Sequence, residues 1–353
     1  MKGRQVILGR LNGAEAAALT VDGRLEDLVL DASALAGLPP GAICRGVVDR
    51  LVKGQGGVFL RLPDGLRGYL RDRSGLSEGQ TITVQVAGVA EPGKAVPVTS
   101  RILFRGRHSI VTPDAPGINV SRRLQDPGLR ADLIGIGEDA LNGWRATETA
   151  PGIIMRSAAA EADPGDIRAE LVAQLELAAA VLGDQAKGAE LLVDAPSPWE
   201  SAWRDWADPA PGAIEQSDDA FDIHGVSDAI AELTDPRVAL PGGGAMYIEP
   251  TRALVAIDVN TGADTSPAAA LKANIAAARD LPRQLRLRGL GGQVVVDFAP
   301  MPKRDRGTLE QQLRTAFRNE GAETVLTGWT GLGLYELTRK RDRMPLARLL
   351  GGA

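Results

Sequence analysis

Ala253-Leu254-Val255-Ala256-Ile257-Asp258-Val259-Asn260 and Gln293-Val294-Val295-Val296-Asp297-Phe298 are the two stretches whose reading decides the fold. Each is an apolar run that carries an aspartate at its end. Between them a helix-like segment closes with Arg283-Gln284-Leu285-Arg286-Leu287-Arg288-Gly289-Leu290-Gly291-Gly292. Strand, helix and strand of this length read as one βαβ unit. Its right-handed crossover puts both strand ends on the same edge of a sheet. The expectation is a pair of carboxylates converging beside a very basic helix. Hard oxygen ligands next to arginines suit a magnesium ion and a phosphodiester.

Working outward, the chain has 353 residues, enough for two or three domains, with 44% hydrophobic and 24% charged residues, the balance of a globular protein. Aromatic residues make up only 4%, while 42 glycines and 22 prolines point to many turns. Cys44 is the only cysteine, which excludes an intrachain disulfide and a thiolate zinc site within one chain. Met1-Lys2-Gly3-Arg4-Gln5 leads into a strand pattern rather than the apolar core of a signal peptide, and no apolar run is long enough to span a bilayer. A cytoplasmic location is the expectation. The net charge of −5 is unevenly spread. Arg279, Arg283, Arg286, Arg288, Lys303, Arg304, Arg306, Arg314 and Arg318 crowd the C-terminal third, and Glu215, Asp218, Asp219, Asp222 and Asp228 the middle. A basic stretch is ordinarily a solvated helix surface; the neighbouring aspartates favour local binding of a polyanion.

Nearer the N-terminus, residues 4–8 and 16–30 read as a β-hairpin region turning at Asp22-Gly23. Short alternating strands at Cys44–Leu51, Gly57–Leu62, Gly68–Leu70 and Thr81–Ala87 suggest a small barrel such as an OB-fold. On it Phe59 and Tyr69 offer rings for base stacking, beside Arg61, Arg67 and Lys94, although barrel aromatics are also ordinary core. A strand at 152–157 and a helix from Gly165 to Leu182 follow, and Trp199, Trp203 and Trp206 fall at the spacing of a packed helix. A helix from Gly307 to Asn319, a strand near Glu323–Leu326 and a last helix from Leu334 to Leu350 complete the expectation. Gly289-Leu290-Gly291-Gly292 precedes a strand instead of following one, so it is no dinucleotide fingerprint.

With these residues in view, the chain resembles the ribonuclease E/G family, bacterial endoribonucleases of RNA processing and decay. The likeness is strongest over Arg283–Asp297, again at Ala256–Asn260 and Leu240–Gly244, and reaches Ile110–Pro113, Gly117–Leu124, Ile153–Ala158 and the barrel around Gly57–Leu70. The resemblance implies an α/β, multi-subdomain chain: an RNase H-like base (1–40 and a reduced 186–238) split by an OB-fold barrel (41–100), a 5′-sensor segment (101–185) and a DNase I-like catalytic subdomain (239–353). It implies that Asp258 and Asp297 hold Mg²⁺ and that Asn260 orients one carboxylate. It also implies that Arg156, Ser157, Arg122 and Ile110 receive a 5′-monophosphate, and that Phe59, Tyr69 and Lys94 touch single-stranded RNA. Hydrolysis would leave 5′-phosphate and 3′-hydroxyl ends.

Two departures from the family pattern bear on these expectations. The paired cysteines through which longer members are joined by zinc are missing, so any oligomer needs another interface. Glu323 stands where a second sensor arginine is usual, and a carboxylate there opposes a terminal phosphate. The rival expectation is a non-cleaving RNA-binding protein on the same fold. The triplet Asp258, Asn260 and Asp297 argues against it, because binding alone gains nothing from carboxylates facing phosphates.

Overall fold

The computed structural model describes residues 3–52, 56–71, 75–144, 150–318 and 320–351. They form two compact units, Met1–Gly23 with Val29–Asp218, and Arg24–Leu28 with Asp219–Ala353.

The first unit begins with strands β1 (Arg4–Leu11), β2 (Ala14–Val21) and β3 (Arg24–Leu30), the last of which has its first five residues in the other unit. Asn12-Gly13 and Asp22-Gly23 both have positive φ at both positions (52° and 82°, 51° and 80°), as two-residue hairpin turns require. The sequence reading places only the second of these turns.

After the one-turn helix α1 (Ser33–Ala36) come β4 (Ile43–Val52), β5 (Gly57–Arg61), β6 (Arg67–Leu70), β7 (Thr81–Val86) and β8 (Val96–Thr99). Their order β4-β5-β6-β8-β7, with β7 pairing back onto β4, closes a five-stranded, OB-fold-like barrel. Alternate residues fill it: Cys44, Val48, Val58, Leu60, Leu70, Val84 and Val98 are all buried.

Next, β9 (Phe104–Arg105), β10 (Ser109–Thr112), β11 (Gly117–Val120) and β12 (Gly152–Met155) form a sheet in the order β11-β12-β10-β9. Helices α2 (Pro127–Leu141) and α3 (Pro164–Leu182) pack on it through Leu133, Ile167, Leu171 and Ala178 against Val111, Ile153 and Met155. Both helices start by the same local chemistry. Asp126 and Asp163 cap them and a proline fills the first turn, where its missing N–H costs nothing. Then β13 (Glu190–Val193) pairs with β4 on the outside of the barrel, and buried Arg45 on β4 grips Asp184 and Glu190. Helix α4 (Pro198–Asp205) opens with a capping box between Ser197 and Glu200, and β14 (Ala213–Gln216) lies parallel to β1.

The second unit contains α5 (Ala220–Ile223), α6 (Val226–Glu232), β15 (Arg237–Ala239), β16 (Ala245–Pro250), β17 (Val255–Asn260), α7 (Pro267–Leu287) and β18 (Gly292–Asp297). It ends with α8 (Arg306–Phe317), β19 (Thr324–Trp329), β20 (Tyr335–Arg339) and the one-turn helix α9 (Leu346–Leu349). The sheet order is β15-β16-β17-β18-β20-β19, and β17 runs parallel to β18 across the α7 crossover. Ala273, Ala277, Leu281 and Leu285 of α7 and Leu309 and Leu313 of α8 cover one face, meeting Val255, Ile257, Val259, Val294 and Val296.

The expected helix over Leu334–Leu350 is wrong. Tyr335, Leu337 and Arg339 are buried while Glu336 and Thr338 are exposed, so Tyr335–Arg339 follows the two-residue period of a strand and pairs with both β18 and β19. Asn319, the expected end of the preceding helix, lies outside the described residues.

Candidate active site

Strand β17 alternates buried Val255, Ile257 and Val259 with exposed Asp258 and Asn260, because the face turned toward α7 must be apolar. Strand β18 repeats the pattern, with Val294 and Val296 inward and Asp297 exposed. Asp258 and Asp297 are direct partners in the parallel register. Neighbouring strands lie about 4.8 Å apart, so the two carboxylates share one small patch of the open face. The Nδ2 of Asn260 donates to Oδ2 of Asp258 at 2.6 Å, which fixes the orientation of that carboxylate and leaves its other oxygen available. Tyr247 on β16 is the cross-strand partner of Asp258 on the other side.

These residues fit magnesium. Mg²⁺ takes one or two carboxylates and keeps several of its waters, so it needs no cage of protein ligands. Among the described residues no group of three or more His, Cys, Asp or Glu side chains comes together, which leaves the Asp258–Asp297 pair as a donor set of that open kind.

One supporting residue escapes the sequence reading. Asn274, fully buried on α7, donates to the Ala299 carbonyl at 2.9 Å and accepts from the Ala299 N–H at 2.9 Å. This reciprocal pair clamps the backbone two residues beyond Asp297. The signal available was an asparagine on the otherwise apolar face Ala270, Ala273, Ala277, Ala278 and Leu281, where an unpaired amide would be costly.

The expectation of a basic helix beside the aspartates fails. Helix α7 lies on the face opposite to them, and its arginines are committed within the unit. Arg283 donates to Asp280 at 2.7 Å and to the Leu25 carbonyl at 2.7 Å, and Arg279 to Gln312 at 2.9 Å. Arg286 pairs with Glu320, which also receives Arg339 at 3.1 Å. Arg288 is buried against Gln284 and the Asp235 carbonyl, and burial pulls its pKa down to about 10. Such arginines hold elements together. Lys303 and Arg304, exposed on the turn after β18, are cations that remain open to solvent.

On the barrel, the rings of Phe59 and Tyr69 are cross-strand neighbours, with centroids 5.4 Å apart and tilted by 54°. The guanidinium groups of Arg50 and Arg67 each sit 5.2 Å from the Phe59 centroid. Gly57 gives the Tyr69 ring room, since a Cβ there would stand 2.4 Å from its hydroxyl. Lys94 is drawn into an ion pair with Glu91 at 2.5 Å.

In the segment expected to receive a 5′-phosphate, Ile110 lies half-buried on β10 opposite Ile154. Arg156 and Ser157 follow β12 directly. The guanidinium of Arg156 donates to the carbonyls of Gly106 (2.5 Å) and Arg204 (3.1 Å) and to Asp205 (3.1 Å). Arg122 is exposed, and its carbonyl accepts the side-chain amide of Gln125. Its neighbour Arg123 instead reaches Ser157 Oγ at 3.4 Å and Asp208 at 2.8 Å. Glu170 accepts the backbone N–H groups of Arg107, His108 and Ser109 at 2.8–3.0 Å, fixing the loop whose Gly106 carbonyl meets Arg156. Glu323 is exposed, and its carbonyl accepts the Lys340 N–H at 2.9 Å. Trp199 and Trp206 pack as expected, whereas Trp203 is exposed with Arg107 stacked 4.0 Å from its ring centroid.

Comparison with known proteins bears on what such a site does. Residues 212–342 match the ribonuclease E/G family. Ribonuclease G of Haemophilus influenzae is 29% identical over 312 residues, covering 77% of this chain and 62% of that protein. Ribonuclease G of Escherichia coli K12 is 28% identical over 316 residues, 80% of this chain and 64% of that protein. Ribonuclease E of a Nostoc species reaches 44% identity, but over 131 residues, 36% of this chain and 19% of that protein. The chain thus spans about three fifths of the length of the ribonucleases G that it matches.

Proposed function

We propose that this chain, which belongs to the ribonuclease E/G family, is a magnesium-dependent endoribonuclease acting on single-stranded RNA and leaving 5′-phosphate and 3′-hydroxyl ends. The observation that carries the reading is the register pair Asp258–Asp297 on an open sheet face, with Asn260 locking one carboxylate. In this reading residues 1–40 and 186–238, which include β1, β2 and β14, are the RNase H-like base, and residues 239–353 are the DNase I-like catalytic part. A cytoplasmic location belongs to the same proposal; no helix among the described residues is long and apolar enough to cross a membrane.

Bound Mg²⁺ would supply charge stabilisation to the phosphodiester transition state and polarise an attacking water. The chain's part is positional. Asp258 and Asp297 would hold the cation from adjacent strands, while Asn260 keeps Asp258 from rotating and Asn274 secures the backbone beyond Asp297. The Phe59–Tyr69 surface, with Arg50 and Arg67 beside it, is built to stack bases and steady the backbone that carries them.

The test is a time course on an end-labelled, A/U-rich single-stranded RNA with Mg²⁺ or EDTA. Internal cuts that require Mg²⁺ support the reading, whereas tight binding without cuts on several RNAs favours a non-cleaving RNA-binding protein. Two substitutions sharpen it. Asn260→Ala is expected to lower kcat/KM about 10–100-fold, the usual cost of losing a partner that orients a metal ligand; unchanged kinetics would remove Asn260 from the site. Phe59→Ala is expected to weaken RNA binding by about 1–3 kcal/mol, one base stack, and equal affinity in a filter-binding titration would return the ring to a packing role.

A further inference from the structure

The row that holds the candidate aspartates continues beyond them. Arg237 on β15 pairs with Tyr247 on β16, Tyr247 with Asp258 on β17, and Asp258 with Asp297 on β18, so four side chains lie side by side across the sheet of the second unit. Met246 and Ile248, which flank Tyr247, are buried in the core beneath α7, so Tyr247 itself is turned to the open face, half-buried. Val238 packs against the same core and leaves Arg237 exposed on that open face. Strand spacing sets Tyr247 about 4.8 Å from Asp258 and Arg237 about 10 Å from it. In the other direction the β18–β20 ladder ends one residue short of Asp297, at Val296–Tyr335, so the row extends only toward β15. Among the described residues the Tyr247 phenol and the Arg237 guanidinium make no hydrogen bond or ion pair, in contrast to the committed Arg283, Arg286 and Arg288.

We propose that Tyr247 and Arg237 form a subsite for the nucleotide next to the scissile phosphate, whose base stacks on the Tyr247 ring and whose phosphate binds the Arg237 guanidinium. This rests on the reading of Asp258 and Asp297 as the cation-holding pair of an RNA-cleaving enzyme. A cation held by two carboxylates neutralises the phosphate it touches. The phosphate beyond it meets the field of the acids unless another positive charge stands nearby, and Arg237 is the member of the row that carries one. A guanidinium presents five donors in a planar fork that matches phosphate oxygens. Between the two charges, the Tyr247 ring offers the kind of sequence-tolerant face on which an unpaired base stacks. On the α7 face a tyrosine would serve packing alone; on the open face, beside Asp258, its ring is turned to whatever approaches the acid pair.

The experiment uses an RNA cut at a single position and a series in which an abasic nucleotide replaces each residue flanking that cut. For wild type, one flanking abasic position is expected to raise KM about tenfold, the worth of one base–aromatic stack, with kcat little changed. Tyr247→Ala is expected to show that rise already on the intact RNA and no further rise on the abasic one, because ring and base belong to the same contact. Equal sensitivity of wild type and variant to every abasic position overturns the proposal, as does a wild type sensitive to none. If Tyr247→Ala lacks a cooperative thermal transition, Tyr247→Leu decides, since it keeps apolar bulk on the strand without a ring. Arg237→Gln is read by filter binding against salt, in the Asp297→Asn background so that the RNA stays whole. The slope of log affinity against log salt is expected to fall by about 0.7, one phosphate contact on a single strand, and an unchanged slope rejects the Arg237 contact. Should wild type cut no RNA, the enzymatic reading fails and filter binding still judges the subsite: about tenfold weaker affinity for Tyr247→Ala supports it, and equal affinity rejects it.

Discussion

Asp297→Asn is expected to reduce cleavage about a thousandfold while leaving RNA affinity nearly unchanged. The substitution keeps the side chain's size on the exposed face of β18 and removes one of two negative charges facing each other across the β17–β18 register. Charge stabilisation by a bound cation is worth several kcal/mol, and at 1.36 kcal/mol per factor of ten a loss of about 4 kcal/mol gives this reduction. In the proposed reading RNA is held by Phe59, Tyr69 and the arginines beside them on the barrel, so binding is expected to persist. Single-turnover rates and filter binding on the same RNA check the two halves separately. A variant that cleaves at the wild-type rate would show that Asp297 holds no catalytic cation.

The second large effect concerns stability. Arg343 reaches Asp27 at 2.5 Å and 3.2 Å and the Leu28 carbonyl at 2.9 Å, with both side chains largely out of solvent. Arg343→Met is expected to destabilise the fold by about 3 kcal/mol at neutral pH, the low end for breaking a buried pair, since Arg286 stays 3.5 Å from Asp27. Burial by itself would raise the Asp27 pKa, but the charge and hydrogen bonds of Arg343 and the charge of Arg286 bring it below 3.8. A depressed carboxyl contributes stability above its unfolded pKa and loses it as pH falls through the folded value. In the variant burial meets less opposition, so protonation as the pH falls relieves Asp27 instead of costing stability. The gap between wild type and variant in urea midpoint should therefore be widest at pH 7 and narrow toward pH 4. Equal midpoints at pH 7 would mean that the pair contributes nothing.

The legible parts of this chain were those set by short-range pattern. The βαβ crossover, the paired aspartates and the helix Pro164–Leu182 each declare themselves within one element or across one connection. The barrel strands could be read from their alternation and turns, although its closure by β7 onto β4 is a long-range pairing. Tyr335–Arg339 was misread because five residues alternating bulky and polar carry too short a record to separate a period of two from one of 3.6. Arg122 and Arg123 are adjacent in sequence, and which of them turns toward Ser157 depends on the backbone direction after Ser121, a matter no composition records.

By itself, the sequence determined which residue types could do chemistry and which segments alternate or repeat every 3.6 residues, because these properties follow from covalent spacing along one element. Tertiary structure alone decided what each charge faces. It set the aspartates on the face away from α7, turned the C-terminal arginines into internal ties through Asp280, Glu320 and backbone carbonyls, and placed Asp205 and Asp208 against Arg156 and Arg123. The reason is that a guanidinium or carboxylate has the same formal charge wherever the chain carries it, while its partner is chosen by contacts distant in sequence and by how much water the fold leaves around it.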